Sequence, residues 1–402
     1  MERISYRETW AEISLDAITH NCLLFKAQLP ARCKLMAVVK ADGYGHGGVQ
    51  AAEAALQAGA DYLGVAFLDE AIRLREAGIE APILVLGHTP NYAYPAAIHH
   101  SVSVTVHTEE GLDELIACTE AMSRKARVHL KIDTGMSRIG VTGPESALAL
   151  ARKAHHSPYI ELEGIFTHFA AADSEDDRYT KRQFAAFLAV IQHVERELGI
   201  RIPLRHCCNS AAAVRHPEMR MDMVRAGIGL YGLSPFGRSA WPGLQLQPAM
   251  QFKTRIAAVK TVPAGQPVGY GGTYTPTVRP SLPRSRSATP TGSPLAVEPR
   301  VRAGAGHRIP IAGRICMDQT MLDVSGLAEI TPGEEVILFG GSGVAELPAA
   351  EWAEQAGTIH YEIVCQIGKR VPRLYTREGR TVSAHNGVIG QALPYGPVTA
   401  LF

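Results

Sequence analysis

The 402-residue sequence has no paired-cysteine motif, no long apolar run and no excess of charge of one sign. Its seven cysteines are scattered without a C-x-x-C pair, which argues against disulfides or a zinc site and favours a reducing compartment. No apolar stretch is long enough to cross a bilayer, and the charged N-terminus "MERISYRETW" lacks the apolar core of a secretory signal. A net charge of +1 gives no reason to expect nucleic acid or a membrane surface as partner. We therefore expect a cytoplasmic protein that holds no metal.

Short apolar runs alternate with longer helical patterns from about residue 10 to about residue 235. Eight of these runs are predicted to be strands: "LMAVVK", "YLGVAF", "APILVLG", "VSVTVH", "RVHLKID", "ELEGIFTHF", "LRHCCNS" and "MVRAGIGLYG". Strand–helix alternation predicts parallel strands joined by crossover helices. Eight units of this length are typical of a (β/α)8 TIM-like barrel. An open doubly wound sheet is the alternative, but no G-x-G-x-x-G follows the first strand.

The pattern changes after "LSPFG", near residue 237. Strand-like runs broken by glycine and proline follow, such as "MQFKTRIAAVKTVPAGQPVGYGGTYT" and "EEVILFGGSG". They predict a smaller, mostly-β C-terminal domain. We assign residues 1–9 to an N-terminal extension that packs on this domain, residues 10–237 to the barrel and residues 238–402 to the β-domain.

The first predicted strand ends on a single lysine, Lys40, in "KLMAVVKADGYGHG". A barrel gathers the C-terminal ends of its strands at one mouth, where the active sites of such folds lie. Polar residues follow other predicted strands there: Lys131, Asp133, Arg138, His168, His206, Asn209, Ser210 and Arg225. Each alone is more simply explained as a solvated or structural residue, but their convergence favours a site. A lysine that forms an imine, beside donors for an anion, predicts a pyridoxal phosphate site.

The motifs resemble those of the alanine racemases, a family of fold-type III pyridoxal phosphate enzymes, over nearly the whole chain. "AVVKADGYGHG" is similar to the family's cofactor-lysine signature. The other motifs follow in the family's order: "KIDTGMSRIG", "THFAAAD", "NSAA", "MVRAGIGLYG", "VGYGGTYT", "GRICMDQTMLDV" and "RVPR". The resemblance implies a pyridoxal 5'-phosphate-dependent isomerase that interconverts L- and D-alanine and supplies D-alanine for peptidoglycan. It also implies a homodimer with shared active sites.

The resemblance implies that two residues act as bases on opposite faces of the alanine Cα. Lys40 would hold the cofactor covalently and serve as one base, and Tyr270 of a second subunit would serve as the other. Two bases allow a proton to leave one face and return to the other without turning the substrate over. Both groups then work far from their free pKa values, which requires cationic neighbours and desolvation.

The remaining roles also follow from the resemblance. Predicted cofactor-binding residues are Tyr44, His168, Asn209, Ser210, Arg225, Gly227, Ile228 and Lys369. Arg225 would face the pyridine nitrogen and keep it unprotonated, because arginine does not give up its proton. Arg138 and the backbone of Met317 would bind the substrate carboxylate, with Lys131, often carbamylated in the family, steadying Arg138. Supporting positions are Lys131, His206, Cys316 and Asp318.

The sequence departs from the family pattern in two places. Lys369 precedes "RVPR" where several family members carry a tyrosine that reaches the cofactor phosphate. Residues 279–303 replace a strand ending in Gly-Tyr-Ala-Asp-Gly, whose tyrosine lines the substrate entrance, by a Pro-, Arg- and Ser-rich stretch. Shifting the reading frame by one base across "ATPTG" can spell Gly-Tyr-Ala-Asp-Gly, so we interpret this segment as a local frameshift. The segment as written predicts a lost strand and weakened folding or activity.

Several other functions remain open from the sequence. A broad-specificity or serine racemase would share all these motifs, and a racemase inactivated by the altered 279–303 segment would keep the cofactor. Decarboxylases of the same two-domain plan use an acidic residue at the pyridine nitrogen, which Arg225 and "CMD" argue against. Non-enzymatic pyridoxal phosphate carriers resemble the barrel alone, which the β-domain argues against.

Overall fold

The computed structural model describes residues 5–236, 243–277, 285–290, 300–303, 307–327, 330–341 and 346–393. The chain forms two compact units. Residues 18–247 form one, here called the barrel unit, and residues 1–17 with 248–402 form the other, here called the β unit. The first strand, β1 (Thr9–Ser14), belongs to the β unit. Both boundaries therefore lie later in the chain than those that we assigned from the sequence.

Among its described residues, the barrel unit has one sheet of eight parallel strands, one for each predicted run, which confirms the predicted fold class. The strands are β2 (Lys34–Val38), β3 (Tyr62–Val65), β4 (Ile83–Val85), β5 (Ser103–Val106), β6 (Ala126–Lys131), β7 (Ile160–Phe166), β8 (Leu204–His206) and β9 (Met223–Ala226). Their order is β8-β7-β6-β5-β4-β3-β2-β9. The first and last strands of this order are joined by two backbone hydrogen bonds, from Asp222 N–H to Arg205 O at 3.1 Å and from Arg225 N–H to Cys208 O at 3.0 Å. These bonds close the sheet, which excludes the open doubly wound alternative.

The strands of the barrel are buried because helices cover the sheet. Leu35, Met36 and Ala37 of β2 are fully buried, as are Ile83, Leu84 and Val85 of β4, and such continuous apolar runs are typical of parallel strands covered on both faces. The helical segments are α1 (Leu15–Gln28), the left-handed turn α2 (Lys40–Tyr44), α3 (Gly48–Gln57), α4 (Leu68–Glu76), α5 (Tyr94–His99), α6 (Glu109–Met122), α7 (Pro144–His156), α8 (Arg178–Leu198) and α9 (Ser210–Arg215).

Local sequence signals fix the ends of these helices. Thr108 precedes α6, and its side chain accepts a hydrogen bond from Gly111 N–H, as an N-cap residue does. Helix α8 ends at Gly199, whose φ of 62° is the left-handed conformation of a helix C-terminus. Sequence signals therefore account for the start of α6 and the end of α8.

The β unit is built on a long central strand, β10 (Met250–Val262), which pairs antiparallel with β1. The other strands are β11 (Ser285–Pro290), β12 (Arg300–Ala303), β13 (His307–Pro310), β14 (Leu322–Asp323), β15 (Glu335–Phe339), β16 (Arg373–Arg377), β17 (Arg380–Asn386) and β18 (Gln391–Leu393). Two helices complete the described part of this unit, α10 (Ala349–Ala356) and α11 (His360–Cys365). The main path of the sheet is β13-β12-β15-β10-β1-β16-β17-β18, and β11 pairs with β10 and β14.

An aromatic cluster lies in the core of the β unit. Phe339 of β15 packs between Phe252 of β10 and Trp352 of α10, with ring centroids 5.7 and 5.9 Å apart. All three side chains are fully or almost fully buried. Aromatic pairs at this spacing stabilise a core beyond the area that they bury, by about 1 kcal/mol each.

The altered 279–303 segment does not remove a strand, contrary to the prediction. Residues 285–290 form β11, which pairs antiparallel with β10 in a register that sets Ala288 opposite Val259. Backbone N–H and C=O groups make this pairing, so it depends little on which side chains the strand carries. Residues 278–284, 291–299 and 304–306 lie outside the described residues, and so does the "TG" of the proposed frameshift motif.

Among the described residues, no helix has the length and apolarity needed to span a membrane. In the same part of the chain, no group of three His, Cys, Asp or Glu residues is placed to hold a metal ion.

Candidate active site

The chain leaves β2 through a left-handed turn that begins at Lys40. Ala41, Asp42, Gly43 and Tyr44 all have φ between 51° and 63°. Three of these residues carry a Cβ, and the left-handed conformation costs about 1–2 kcal/mol for each such residue. The Asp42 carboxylate offsets part of this cost, because it accepts hydrogen bonds from Gly48 N–H at 2.8 Å and Arg73 Nη1 at 3.0 Å. The turn places the half-buried Lys40 with its Nζ 5.9 Å from the centroid of the Tyr44 ring.

Tyr44 lies against a backbone that has no room for a side chain. A Cβ on Gly227, which follows β9, would lie 2.7 Å from the Tyr44 hydroxyl oxygen. Gly227 N–H donates to Ser210 Oγ at 2.8 Å, and the Tyr44 ring packs 5.1 Å from that of Tyr231. The ends of β2, β8 and β9 thus bring Tyr44, Ser210 and Gly227 together.

Two short helical segments begin beside these residues. The Asn209 side chain caps α9 by accepting from Ala212 N–H at 2.9 Å, and Ser210 is the first residue of that helix. Ile228 opens a 3-10 turn, Ile228–Tyr231, and is almost fully buried. Asn209 therefore orients the helix that carries Ser210.

Arg225 is buried at the end of β9 and is held from several sides. Its Nη1 donates to His206 Nδ1 at 2.9 Å, and its Nη2 donates to the carbonyl oxygens of Thr167 and Cys207, both at 2.9 Å. His168 Nδ1 lies 3.2 Å from the same Nη2. Burial lowers the pKa of Arg225 to about 10, so the guanidinium stays charged at neutral pH. The orientation of this cation is fixed by the fold.

His168 is neutral and tied to helix α8. Burial, followed by the charges of Arg225, Lys131, Arg138 and Lys40, holds the pKa of His168 well below its usual range. Gln183 of α8 donates to His168 O at 3.2 Å. Its Oε1 accepts from the N–H of Ala170 at 2.9 Å, so Gln183 fixes the backbone on both sides of His168.

Lys131 is a buried amine at the end of β6. Its Nζ lies 4.6 Å from the centroid of the Phe166 ring. Burial and the charges of Arg225 and Arg138 hold the pKa of Lys131 well below its usual range. Arg138 is exposed on the following loop, which Asp133 shapes by accepting from the N–H groups of Gly135 and Ser137. This environment therefore favours the neutral form of the Lys131 amine.

The predicted site residues of the β unit are mostly exposed. Tyr270 and Met317 have 70% and 83% of their surface exposed, and Lys369 is exposed as well. Cys316 N–H donates to Gln319 O at 2.9 Å, so Met317 and Asp318 lie at the tip of a tight turn. Asp318 forms ion pairs with Arg370 at 2.7 Å and with Arg7 at 3.8 Å.

Two sets of predicted residues thus lie in separate units. One mouth of the barrel unit holds Lys40, Tyr44, Lys131, His168, His206, Asn209, Ser210, Arg225, Gly227 and Ile228, with Arg138 on the loop that follows β6. The β unit carries Tyr270, Cys316, Met317, Asp318 and Lys369. A nucleophilic amine, a buried cation and several N–H and hydroxyl groups at the barrel mouth can bind an aldehyde that carries an anion.

Three residues in contact with this site were not predicted from the sequence. His129 and Glu163 extend the contacts of Arg225 and His206 into the barrel interior, and Gln183 fixes the His168 loop. The signal for the first two is a polar residue between apolar neighbours, in "VHL" and "LEG", and other polar residues lie in the same strands. Gln183 lies in an amphipathic helix and gives no such signal.

Comparison with known families agrees with this geometry. Residues 13–235 match the family described as "Alanine racemase, N-terminal domain", and residues 249–375 match "Alanine racemase, C-terminal domain". Together the two matches cover most of the chain.

Similar proteins of known name and structure extend over both units. The chain is 47% identical to alanine racemase 1 of Oceanobacillus iheyensis, over 93% of this chain and 100% of that protein. It is 45% identical to an alanine racemase of Desulfovibrio desulfuricans, over 92% and 98%. The alanine racemase structure from Clostridium difficile 630 superposes with a TM-score of 0.89 at 37% identity, over 96% and 100%. That from Bacillus anthracis, with bound L-Ala-P, gives 0.86 at 37% identity, over 95% and 98%. The chain therefore belongs to the alanine racemase family.

Proposed function

We propose that the chain interconverts L- and D-alanine with pyridoxal 5'-phosphate held on Lys40, as a homodimer in which each site takes Tyr270 from a second copy. Supply of D-alanine for peptidoglycan and a cytoplasmic location belong to the same proposal. The observation that carries it is the half-buried Lys40 at a barrel mouth lined by buried donors.

The residues at the barrel mouth fit this cofactor by their chemistry. Tyr44, Ser210 and the backbone at Gly227 lie together and offer hydroxyl and N–H groups to phosphate oxygens. Arg225 can only donate, so it suits a neutral ring nitrogen, which can only accept. The Lys40 amine is the group that joins an aldehyde. All three requirements of the cofactor are met by residues of the barrel unit.

When bound, the cofactor withdraws electrons from the substrate Cα and so makes its proton acidic. Side chains of the protein move that proton. Lys40 takes or returns it on one face of Cα, and Tyr270 does so on the other. Cationic neighbours favour the forms that these bases need, and Arg138 and Arg225 bring such charge to the barrel mouth.

Arg225 limits side reactions in this proposal. A guanidinium does not surrender its proton to a ring nitrogen, so that nitrogen stays neutral and withdraws fewer electrons. Proton return to Cα is then favoured over protonation at the cofactor. Accumulation of pyridoxamine phosphate during turnover would contradict this role.

The substrate carboxylate is assigned to Arg138 and to the backbone at Met317. Arg138 is a forked donor, which suits a planar carboxylate. The neutral Lys131 amine can add to carbon dioxide, losing one proton to form a carbamate, and that anion would steady Arg138. Isotope-labelled bicarbonate gives a carbonyl signal in the protein if the carbamate forms, and Lys131→Ala removes it.

The direct test is incubation of the purified, cofactor-loaded protein with L-alanine, followed by chiral chromatography. We expect D-alanine to accumulate to an equal mixture. Faster turnover of serine would identify a broad-specificity racemase. Carbon dioxide release would identify a decarboxylase, and an imine absorbance band without turnover would identify an inactive racemase or a carrier.

The shared site is tested by mixing two inactive chains. If sites are shared, a mixed dimer of one Lys40→Ala chain and one Tyr270→Phe chain has one site with both changes and one site with neither. Co-expression in equal amounts makes half of the dimers mixed, so about a quarter of the wild-type activity returns if sites are shared. No recovery of activity would contradict a shared site.

A further inference from the structure

A line of four side chains, three buried and the last partly buried, crosses the interior of the barrel from Arg225. Arg225 Nη1 lies 2.9 Å from His206 Nδ1, and His206 Nε2 lies 2.9 Å from His129 Nδ1. His129 Nε2 lies 3.0 Å from Glu163 Oε2. Both histidines are fully buried, and Arg225 is almost so. The four residues come from β9, β8, β6 and β7, so only the closed barrel brings them together.

The chemistry of the groups fixes the direction of every hydrogen bond in this line. Arg225 can only donate, so His206 Nδ1 accepts and the proton of His206 is on Nε2. His206 Nε2 therefore donates to His129 Nδ1, which leaves the proton of His129 on Nε2. His129 Nε2 donates in turn to Glu163. Each histidine therefore holds a proton on the nitrogen that faces away from Arg225.

The Glu163 carboxylate is the acceptor at the end of the line. Its Oε2 also accepts from the Tyr62 hydroxyl at 2.7 Å and from Ser103 Oγ at 2.8 Å. Burial raises the pKa of the Glu163 carboxyl, but the hydrogen bonds from His129, Tyr62 and Ser103 lower it below its usual range. An ionised carboxylate can only accept, so it forces the order of protons in the line.

The barrel makes room for these rings at two points. A Cβ on Gly164, the residue after Glu163, would collide with the His129 ring. The His206 ring stacks on Phe166, with centroids 4.8 Å apart and planes 1° apart. Neither ring can turn to exchange its two nitrogens without displacing a neighbour, so packing keeps the line aligned.

We propose that Glu163 is a positioning residue for Arg225, because it sets the tautomers of His129 and His206 and so guarantees the guanidinium a buried acceptor. This inference rests on the proposed role of Arg225 toward the cofactor ring. Glu163 acts only through the two histidines and touches neither substrate nor cofactor. An Arg225 whose acceptor is fixed keeps one orientation while the ring nitrogen is bound.

An amide in place of the carboxylate removes the constraint. Glutamine at position 163 can accept from His129 through its oxygen or donate to it through its nitrogen. The second arrangement moves the proton of His129 to Nδ1 and that of His206 to Nδ1 as well. His206 would then present an N–H to Arg225, two donors would face each other, and the guanidinium would shift. Glu163→Gln changes the size of the side chain very little, so it tests the direction of the hydrogen bonds and not the packing of the side chain.

The experiment compares Glu163→Gln with Glu161→Gln, the same change at an exposed position two residues earlier on β7. Nitrogen-15 NMR of histidine-labelled, cofactor-loaded protein reports which ring nitrogen carries the proton. In the unaltered protein we expect His129 and His206 to be neutral with the proton on Nε2. In Glu163→Gln we expect signal from protonated Nδ1, a shifted cofactor absorbance band, and a kcat about tenfold lower with little change in KM.

Glu161→Gln should match the unaltered protein in all these measurements, within about twofold in kcat. A doubly protonated His206, or one protonated on Nδ1, in the unaltered protein would overturn the proposal without any variant. A Glu163→Gln protein that keeps both the NMR pattern and the kcat of Glu161→Gln would overturn it too. Failure of the proposed function would be distinguishable from this. The unaltered protein would then not racemise alanine, whichever nitrogens of His129 and His206 carry the protons.

Discussion

The barrel unit and the β unit hold their candidate site residues in opposite ways. In the barrel unit, Arg225, His206 and Lys131 are buried, and hydrogen bonds or packed rings fix them within one chain. In the β unit, Tyr270 and Met317 stand exposed at the tips of loops. Large exposed side chains at a proposed site are expected where another surface completes it. The difference teaches that the barrel unit prepares its part of the candidate site within one chain, whereas the exposed groups of the β unit are those that we propose for use by a second copy.

The two sets of residues also differ in the interactions that the fold must supply to them. A buried cation such as Arg225 is stable only when hydrogen bonds replace its water, and four acceptors surround it here. Exposed loop residues remain hydrated, so the fold has only to hold their backbone in position. Changes at the barrel residues should therefore affect both chemistry and stability, and changes at the loop residues should affect chemistry alone.

Removal of the amine is expected to have the largest effect. Lys40→Ala should abolish covalent cofactor binding and lower kcat by at least about a thousandfold, because the nucleophile and one base disappear together. Borohydride reduction followed by peptide mass spectrometry locates the attached cofactor. Lys34→Ala, at the exposed start of the same strand, is the control and should leave activity unchanged. Cofactor fixed to any other lysine would contradict the assignment.

Tyr270→Phe should come next. It removes one hydroxyl from an exposed side chain, so we expect kcat to fall by about a hundredfold or more while cofactor affinity and Tm stay unchanged. Activity in both directions and calorimetry measure these effects. Tyr159→Phe, before β7 at the other end of the barrel, is the control. A large drop in Tm for Tyr270→Phe would break the contrast between the two units.

Gly227→Ala tests the preparation of the barrel mouth. The added Cβ would lie 2.7 Å from the Tyr44 hydroxyl, so Tyr44 or the backbone must move. We expect the cofactor dissociation constant to rise about tenfold to a hundredfold, in line with overpacking costs of about 1–3 kcal/mol. Gly326→Ala, where a Cβ would meet nothing within 4 Å, should bind the cofactor normally. Equal affinities would show that the contact at Gly227 is unimportant.

The smallest expected effect is on the pH dependence of stability. Burial and the charge of Arg225 hold the pKa of His206 well below its usual range, whereas in the unfolded chain it is about 6.5. The unfolded chain therefore binds a proton that the folded barrel does not, and stability falls as the pH drops below about 6.5, by up to about 1.4 kcal/mol per pH unit. Calorimetry at pH 7.5, 6.5 and 5.5 should show Tm falling more steeply across the lower interval. His206→Gln should flatten that fall, and an unchanged slope would contradict a neutral His206.

Much of the fold was predictable because its signals are local. All eight barrel strands occur where apolar runs predicted them, and Lys40 lies at the end of β2 as expected. Strand-end position in a parallel barrel then places Ser210, Arg225 and Gly227 at the same mouth. The expected loss of a strand across residues 279–303 was wrong, because backbone pairing with β10 does not depend on the side chains that the sequence displays.

The line of hydrogen bonds from Arg225 to Glu163 could not be predicted in the same way. His129 and His206 are 77 residues apart, and His129 and Glu163 are 34 apart. The sequence of these strands does not indicate which neighbour each polar side chain contacts, since other polar residues lie in the same strands. Gln183 is similar, since its two contacts with the His168 loop depend on where α8 lies against the barrel.

The sequence by itself determined the strands, the position of Lys40 at the end of β2 and the family resemblance, because each depends on residue types at short, regular spacing. Only the tertiary structure decided which of the polar residues are buried, which hydrogen bonds they make and in which direction those bonds run. The physical reason is that a buried donor must find its acceptor in space, and closure of the barrel alone brings residues from four strands within hydrogen-bonding distance.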